Sequence, residues 1–489
     1  MHIIHIASEL APLAKVGGLA DVLLGLCREL SWKGHDVDIV IPKYDCMDSN
    51  EIRDLSIDIQ EFKSYYQGEW HSNTCWIGWV ENLKVYFIEP HHTKHFFNRG
   101  CIYGCEDDIE RFTYFSRAAF DLMNTRGLHP DILHLHDWQT APLIPLQKFS
   151  GAETPKTVFT IHNLEHQGKC SFSKLEAIGI KPVHNFDDPL LENTANLLKG
   201  AIIYSDYFTT VSPNYAWEIK TVEGGRGLDQ VLIDNQDKFA GILNGLDYSY
   251  WNPETDRYLP AHFSPRELPA NKKDRNTLDK KAFIKKVLRD RTSLAEVHRP
   301  IVGVVTRLVP QKGIELIKHV IETIDSKGGQ LILLGSSPIP EVQHDFFEIK
   351  NRFRDHPNIH LYLQHQEELA HLIYAGSDIF IVPSLFEPCG LTQIIAMRYG
   401  TIPVVRKTGG LADTVFDVDY SGLEFEETNG FTFDNPDFQG IDSALDRAIK
   451  YWYNQQDLWR KLMVNAMLRD FSWNHPSDHY LEIYKKLKP

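Results

Sequence analysis

The chain has 489 residues, 43% of them apolar and 24% charged, with a formal net charge of -15. That length exceeds what one hydrophobic core organises, so two or three domains are expected. So acidic a chain has little with which to neutralise a polyanion, which argues against a nucleic acid partner and leaves a neutral polymer, or a small anion in a local cationic pocket.

In chain order, "HIIHIAS" at 2–8 reads as a strand. The glycine turn "KVGGLADV" at 15–22 follows and opens a helix at 19–30, in which Leu19, Val22, Leu23, Leu26 and Leu30 share one face. Further strands are predicted at 36–42, 84–90, 131–137, 156–163, 206–213 and 241–247, with a helix at 107–123. Asp36 and Asp38 alternate at the start of their strand and read as its solvent face. From Asn244 to 265 the chain is rich in Asn, Pro and Tyr without a period, and reads as a connector; a charged helix follows at 274–291. Alternation then restarts, with strands at 300–308, 330–336, 358–364, 378–384 and 401–407 and helices between them. The closing helix at 478–489 is free to pack on the first domain. Short apolar strands alternating with amphipathic helices predict an α/β fold with a doubly wound parallel sheet, here twice. The expected boundaries are an N-terminal domain at 1–245, a connector and lead-in helix at 246–298, a C-terminal domain at 299–470 and a terminal helix at 471–489.

The cysteines Cys27, Cys46, Cys75, Cys101, Cys105, Cys170 and Cys389 are scattered. Cys101 and Cys105 lack a second pair or a nearby histidine at zinc spacing, so reduced thiols are expected. The N-terminus has no basic flank, and no stretch reaches the about 18 apolar residues of a membrane span. A cytoplasmic protein without membrane contact is the expectation.

The glycine turn recurs. Residues 407–415 read "KTGGLADTV", so Lys, Gly, Gly, Leu, Ala and Asp return at the same spacing, once per domain. Each copy sits after a strand, where open α/β sheets bind ligands, and opens a helix whose amides favour anions. Lys15, Gly17, Gly18 and Asp21 in the first copy, and Thr408, Gly409 and Gly410 in the second, are candidate ligand contacts; a bare strand-to-helix turn is the plain alternative. "TRLVPQKG" sets Arg307 and Lys312 on one loop, a planar fork and a flexible cation that suit a diphosphate. In "FEPCGLTQ", Glu387 stands at a strand end as an acceptor for sugar hydroxyls. The amides of Cys389, Gly390, Leu391, Thr392 and Gln393 follow it into a helix, although a Glu there also serves as a cap. "HLHDW" and "IHN" bring Asp137, His162 and Asn163 to neighbouring strand ends. There is no HExxH and no Walker loop, and the DVD triplets at 36–38 and 417–419 are read as chance.

These segments, with "VSPNYAWEI" and "ILNGLDYSYWNPETD", keep their order and spacing from the first residues to the last. Together they make the chain resemble the bacterial glycogen synthases and plant starch synthases, family 5 glycosyltransferases. The resemblance implies the GT-B fold, two Rossmann-like domains facing each other across a deep cleft. It implies transfer of glucose from ADP-glucose to the non-reducing end of an α-1,4-glucan (glycogen or a maltooligosaccharide), with retention of configuration and no metal or other cofactor. Lys15 and Gly18 would then touch the donor, Arg307 and Lys312 would stabilise the departing diphosphate, and His162 would lie by the glucosyl carbon. Asp137 and Asn244 would line the first-domain side. Glu387, with the amides of Cys389 and Gly390, would hold sugar hydroxyls, and Thr392, Gly409 and Gly410 would complete the donor site.

Two positions depart from the wider pattern. Ile395 stands where many transferases of this architecture carry a second Glu, as expected for the synthase branch. His365 stands where the family's adenine-stacking Tyr is expected. Two competing readings are the same fold with UDP-glucose or another acceptor, and an inactive glucan-binding scaffold. Intact Lys15, His162, Arg307, Lys312 and Glu387 speak against the scaffold. If both glycine turns serve the donor, Gly18→Val and Gly410→Val should each abolish activity and spare folding, and Lys312→Ala should spare folding too.

Overall fold

The structure, a computed structural model, describes residues 1–151, 154–181, 183–265 and 276–488. It divides into one unit of Met1–Gly245 with Ser472–Pro489, and a second of Leu246–Phe471.

The first unit is built on strands β1 (His2–Ile6), β2 (Asp36–Pro42), β3 (Arg53–Tyr66), β4 (Glu69–Val80), β5 (Leu83–Pro90), β6 (Ile132–His136) and β7 (Lys156–Ile161). A small pair, β8 (Lys169–Cys170) and β9 (Ala195–Asn196), precedes β10 (Tyr207–Thr210) and β11 (Phe239–Gly241). Among the described residues the main sheet runs β11-β10-β7-β6-β1-β2-β5-β4-β3. Its central strands are parallel and buried over most of their length, which is why apolar residues dominate them. The antiparallel hairpin β3–β4 escaped the sequence reading. It turns on Gln67 and Gly68, both at positive φ, and β3 is an exposed edge studded with charge rather than an apolar run. Asp38 corrects another expectation. It is buried, not solvent-facing, because His2 and Lys84 each reach it at 3.0 Å.

The C-terminal helix Asn474–Leu487 belongs to this unit. Trp473 fills the notch that Gly25 leaves on the helix Gly18–Trp32, where a Cβ would stand 2.0 Å from the indole Nε1. Tyr484 reaches from the same C-terminal helix to His134 at 2.6 Å.

The second unit carries β12 (Ile301–Val305), β13 (Gln330–Leu334), β14 (Ile359–Tyr362), β15 (Ile379–Val382), β16 (Ile402–Arg406) and β17 (Phe431–Phe433), in the order β14-β13-β12-β15-β16-β17 with every pairing parallel. The stretch set apart in the sequence as a connector, 246–298, lies in this unit; its residues 266–275 fall outside the described ones. Buried Asp256 accepts from Tyr399 Oη at 2.5 Å and pairs with His371 at 2.6 Å, and Trp251 stacks on His371. The lead-in helix Asn276–Thr292 follows suit: Lys281 donates to the carbonyls of Ala375 and Tyr399, and burial pushes its ammonium down to about 7.

Candidate active site

In the first unit the glycine turn is held open from beneath by a residue the sequence reading missed. Glu9 Oε2 accepts from the amides of Val16 at 2.7 Å and Gly17 at 2.9 Å. Tyr103 Oη donates to Glu9 Oε1 at 2.9 Å and meets Ser8 Oγ at 2.7 Å. Gly17 is extended, and a Cβ on it would meet only Glu9 Oε1, 4.0 Å away. The glycine therefore leaves room rather than relieving backbone strain. Lys15 is exposed and pairs with Asp21 at 2.8 Å, a solvent-screened contact that a stronger anion can displace.

At the ends of β6 and β7 the polar residues are wired together. Asp137 takes a positive φ of 58° and its Oδ1 accepts from the His162 amide at 2.7 Å, which fixes the turn after β7. Burial pushes the Asp137 carboxyl up to about 7, against the amides of His162 and Asn163 that favour its charge. Asn163 is spent on its own turn, accepting from the Glu165 amide at 3.0 Å. Behind His162 runs a chain of rings: His162 Nε2 meets His136 Nδ1 at 3.0 Å, and His136 Nε2 meets His5 Nδ1 at 3.0 Å. Burial keeps all three neutral, with His5 and His162 pushed down to about 3. His5 Nε2 is buried without a partner among the described residues. A buried nitrogen is tolerated far better as a bare lone pair than as an orphaned N–H. On that rule each ring donates outward, and His162 presents an Nδ1–H donor beyond the strand end. Asn244, buried after β11, has an Oδ1 with no partner among the described residues, the kind of atom a ligand satisfies.

In the second unit the loops after β12 and β15 lock to each other. Leu385 N donates to Gln311 O at 2.8 Å, and Gly313, at φ 71°, presses so close to Pro383 O that a Cβ would stand 2.1 Å from it. This joins Lys312 to Glu387 at 2.5 Å, and Ser384 Oγ donates to the same carboxylate oxygen at 2.9 Å. Glu387 is buried, with Lys312 and Ser384 as its side-chain partners. Lys312, Ser384 and Thr392 line one crevice at the carboxyl ends of β12 and β15, while Arg307 stands exposed on the same loop as Lys312. Cys389 is buried and Gly390 sits at φ 75°; Leu391 leads into the short helix Thr392–Arg398. Gln393 Nε2 ties that helix to the carbonyls of Cys389 and Gly390, and its buried Oε1 has no partner among the described residues.

The second glycine turn is unlike the first. Gly410 N donates to Glu387 O at 3.0 Å. A Cβ on Gly409 would stand 1.9 Å from Glu387 O, and one on Gly410 2.2 Å from Cys389 O. These glycines, with buried Thr408 before them, brace the Glu387 loop from behind. The geometry argues against the expectation that Gly410→Val spares folding, because the space is filled by backbone. It argues likewise against the expectation that Lys312→Ala spares folding, because that change strands a buried carboxylate. His365 lies exposed just before the helix Glu367–Gly376, 3.3 Å from Glu367.

A family model described as starch synthase catalytic domain matches residues 2–234, and one described as glycosyl transferases group 1 matches 288–465. The glycogen synthase of Protochlamydia amoebophila is 64% identical over 100% of this chain and 99% of its own. The chain belongs to the glycogen and starch synthase family. The synthase is thus a hexosyltransferase with the GT-B fold. The solved catalytic domain of starch synthase IV from Arabidopsis thaliana, bound to ADP and acarbose, matches it with a TM-score of 0.94 at 46% identity, covering 99% of both chains. The full Arabidopsis probable starch synthase 4 is longer, and the synthase spans 47% of it. Sucrose-phosphate synthase from Thermosynechococcus elongatus shares the fold at 16% identity and a TM-score of 0.61. No helix among the described residues of the synthase is long and apolar enough to cross a membrane.

Glu9, Tyr103, Ser384, His136 and His5 were not singled out in the sequence. His136 carried a signal, as part of a His-x-His run at a strand end; Glu9 and Tyr103 act through loops of no recognisable period.

Proposed function

We propose that the synthase transfers glucose from ADP-glucose to the non-reducing end of an α-1,4-glucan, with retention of configuration, in the cytoplasm. The Lys312–Glu387 pair carries this reading. It sets a cation and a carboxylate side by side at the strand ends, one suited to a diphosphate and the other to sugar hydroxyls. As the bond from the glucosyl carbon to the β-phosphate oxygen breaks, charge grows on that oxygen, and Arg307 and Lys312 stabilise it. The acceptor hydroxyl attacks on the face the phosphate leaves. Its proton passes to the departing ADP, so the α configuration is kept.

The first unit contributes Lys15 and the open turn at Gly17 and Gly18 to the donor, and His162 as a neutral donor to a sugar oxygen. Asp137, which holds the His162 amide, and Asn244, with its unsatisfied oxygen, line that side. The amides of Cys389 and Gly390, with Leu391 and Thr392 beyond them, serve the sugar, and Gln393, Thr408, Gly409 and Gly410 support them. His365 offers an exposed imidazole for the adenine. The positive charge the diphosphate needs comes from side chains, so turnover is expected to persist in a chelator. The family's presence in both bacterial and plant relatives that make storage glucan supports this over the scaffold reading. Nucleotide release tests it. With glycogen present, ADP-glucose should release nucleotide far faster than UDP-glucose. Equal rates, or faster release from UDP-glucose, would overturn the donor assignment.

A further inference from the structure

We infer that Cys101 and Cys105 form a reversible disulfide that acts on the glycine turn at Lys15–Gly17 through Tyr103 and Glu9. The two thiols stand 3.4 Å apart, both part-exposed. Gly104, at φ 96°, folds the intervening chain back so that residues four apart come face to face. Tyr103 lies inside that loop, and its hydroxyl holds Glu9, which in turn holds the amides of Val16 and Gly17.

The loop is strapped on either side. Gly100 N donates to Asp45, Arg99 forks onto Asp107, and the amides of Gly104 and Cys105 donate to Asp108. The straps hold the ends while the middle, with Tyr103, is left to absorb a change. A disulfide needs its sulfurs at about 2.05 Å, so closure draws them together by more than about 1 Å. That movement falls on Ile102 and Tyr103.

Cys105 is the attacking thiol. The Arg99 guanidinium, although committed first to Asp107, also neighbours Cys105, the kind of placement in which reactive cysteines are found. The Cys101 thiol is pushed up by its hydrogen bond to Cys105, so Cys101 resolves. The oxidant is a low-molecular-weight disulfide such as glutathione disulfide. The Cys105 thiolate attacks one of its sulfurs and expels one glutathione thiolate. Cys101 then loses its proton to solvent, attacks the Cys105 sulfur and expels the second. Two cysteine thiols are oxidised, and one glutathione disulfide is reduced to two thiols. The pair fits a transient, redox-sensing use of cysteine in a reducing compartment.

The consequence for transfer rests on the proposed donor role of the Lys15–Gly17 turn. The test uses the whole chain. After exposure to glutathione disulfide and alkylation, trypsin releases residues 100–111, which hold both cysteines between Arg99 and Arg111. The expected peptide is unalkylated and lighter than the reduced one by two hydrogens. In Cys101→Ser, Cys105 should instead keep a glutathione adduct. Oxidation should raise KM for ADP-glucose about fivefold or more, with kcat little changed. Dithiothreitol should reverse this, and Cys101→Ser/Cys105→Ser should be insensitive. Absence of the light peptide, while exposed Cys46 is modified, overturns the disulfide. A disulfide that forms without altering KM overturns the coupling. Lys15→Ala in reduced protein judges the donor role separately: if it leaves KM unchanged, the proposed function of the turn fails, whatever the cysteines do.

Discussion

Adding one methyl group to each of the two glycine turns should have opposite effects. On Gly410 the new Cβ would stand 2.2 Å from Cys389 O and 2.4 Å from Cys389 Cα. Contacts under 3.0 Å are essentially never seen for real Cβ atoms, so the backbone bearing Glu387 and Cys389 must retreat by about 0.8 Å. Overpacking of this kind costs about 1–3 kcal/mol. For a unit of roughly 150–250 residues each kcal/mol lowers Tm by about 2–4 °C, so Gly410→Ala should melt about 2–12 °C lower. On Gly17 the methyl meets only Glu9 Oε1 at 4.0 Å, on an extended backbone any residue adopts. Stability should stay within about 0.5 kcal/mol. Activity should nonetheless fall at least about tenfold, the equivalent of about 1.4 kcal/mol, because the methyl occupies the space a donor needs. Differential scanning fluorimetry and glucan-dependent ADP release, run on both variants, measure the two effects. Unchanged melting of Gly410→Ala, or a loss of several degrees in Gly17→Ala, would refute the division of the turns into brace and opening.

Lys312→Ala should lower kcat about 10²–10³-fold and also destabilise the second unit, since it leaves Glu387 buried with Ser384 as its remaining side-chain partner among the described residues; adding Glu387→Gln should recover Tm but not activity, and recovery of activity would remove Lys312 from the chemistry. The buried histidines predict acid sensitivity. His5 and His162 take protons at about 3 when folded but near 6.5 when unfolded, so stability is full above about 6.5 and falls as pH drops toward 3. Urea midpoints between pH 7 and 4.5 should decline, less steeply in His134→Gln, which removes a fourth imidazole that burial holds well below its ordinary value, and a flat series would contradict the neutral cluster. In ¹⁵N NMR at pH 7.5, His162 should carry its proton on Nδ1, whereas a proton on Nε2 would reverse the direction assigned to the ring chain.

Much of this fold was legible because parallel strands buried on both faces are mostly apolar, as in β12 and β15, while their helices keep one polar face. The hairpin β3–β4 was not legible. An exposed edge strand such as "RDLSIDIQEFK" carries its information in pairing with β4, which no local period reveals. Candidate site residues were legible where chemistry concentrates after a strand, as with Arg307, Lys312 and Glu387. Glu9 was not, because its partners lie on a loop of its own and at Tyr103, some ninety residues on in the chain. The likeness of the two glycine turns misled for a related reason. The same letters meet open space at Gly17 and backbone at the matching Gly409, and that difference lies in the neighbours rather than in the turn.

The most direct test of the central claim follows the anomeric protons by ¹H NMR while the purified chain acts on ADP-glucose and a maltooligosaccharide in the presence of a chelator. New α-1,4 linkages should appear in step with ADP, one for one, with no β-linked product. A β-anomeric product, ADP released without a new linkage, or turnover that stops in the chelator would contradict the account.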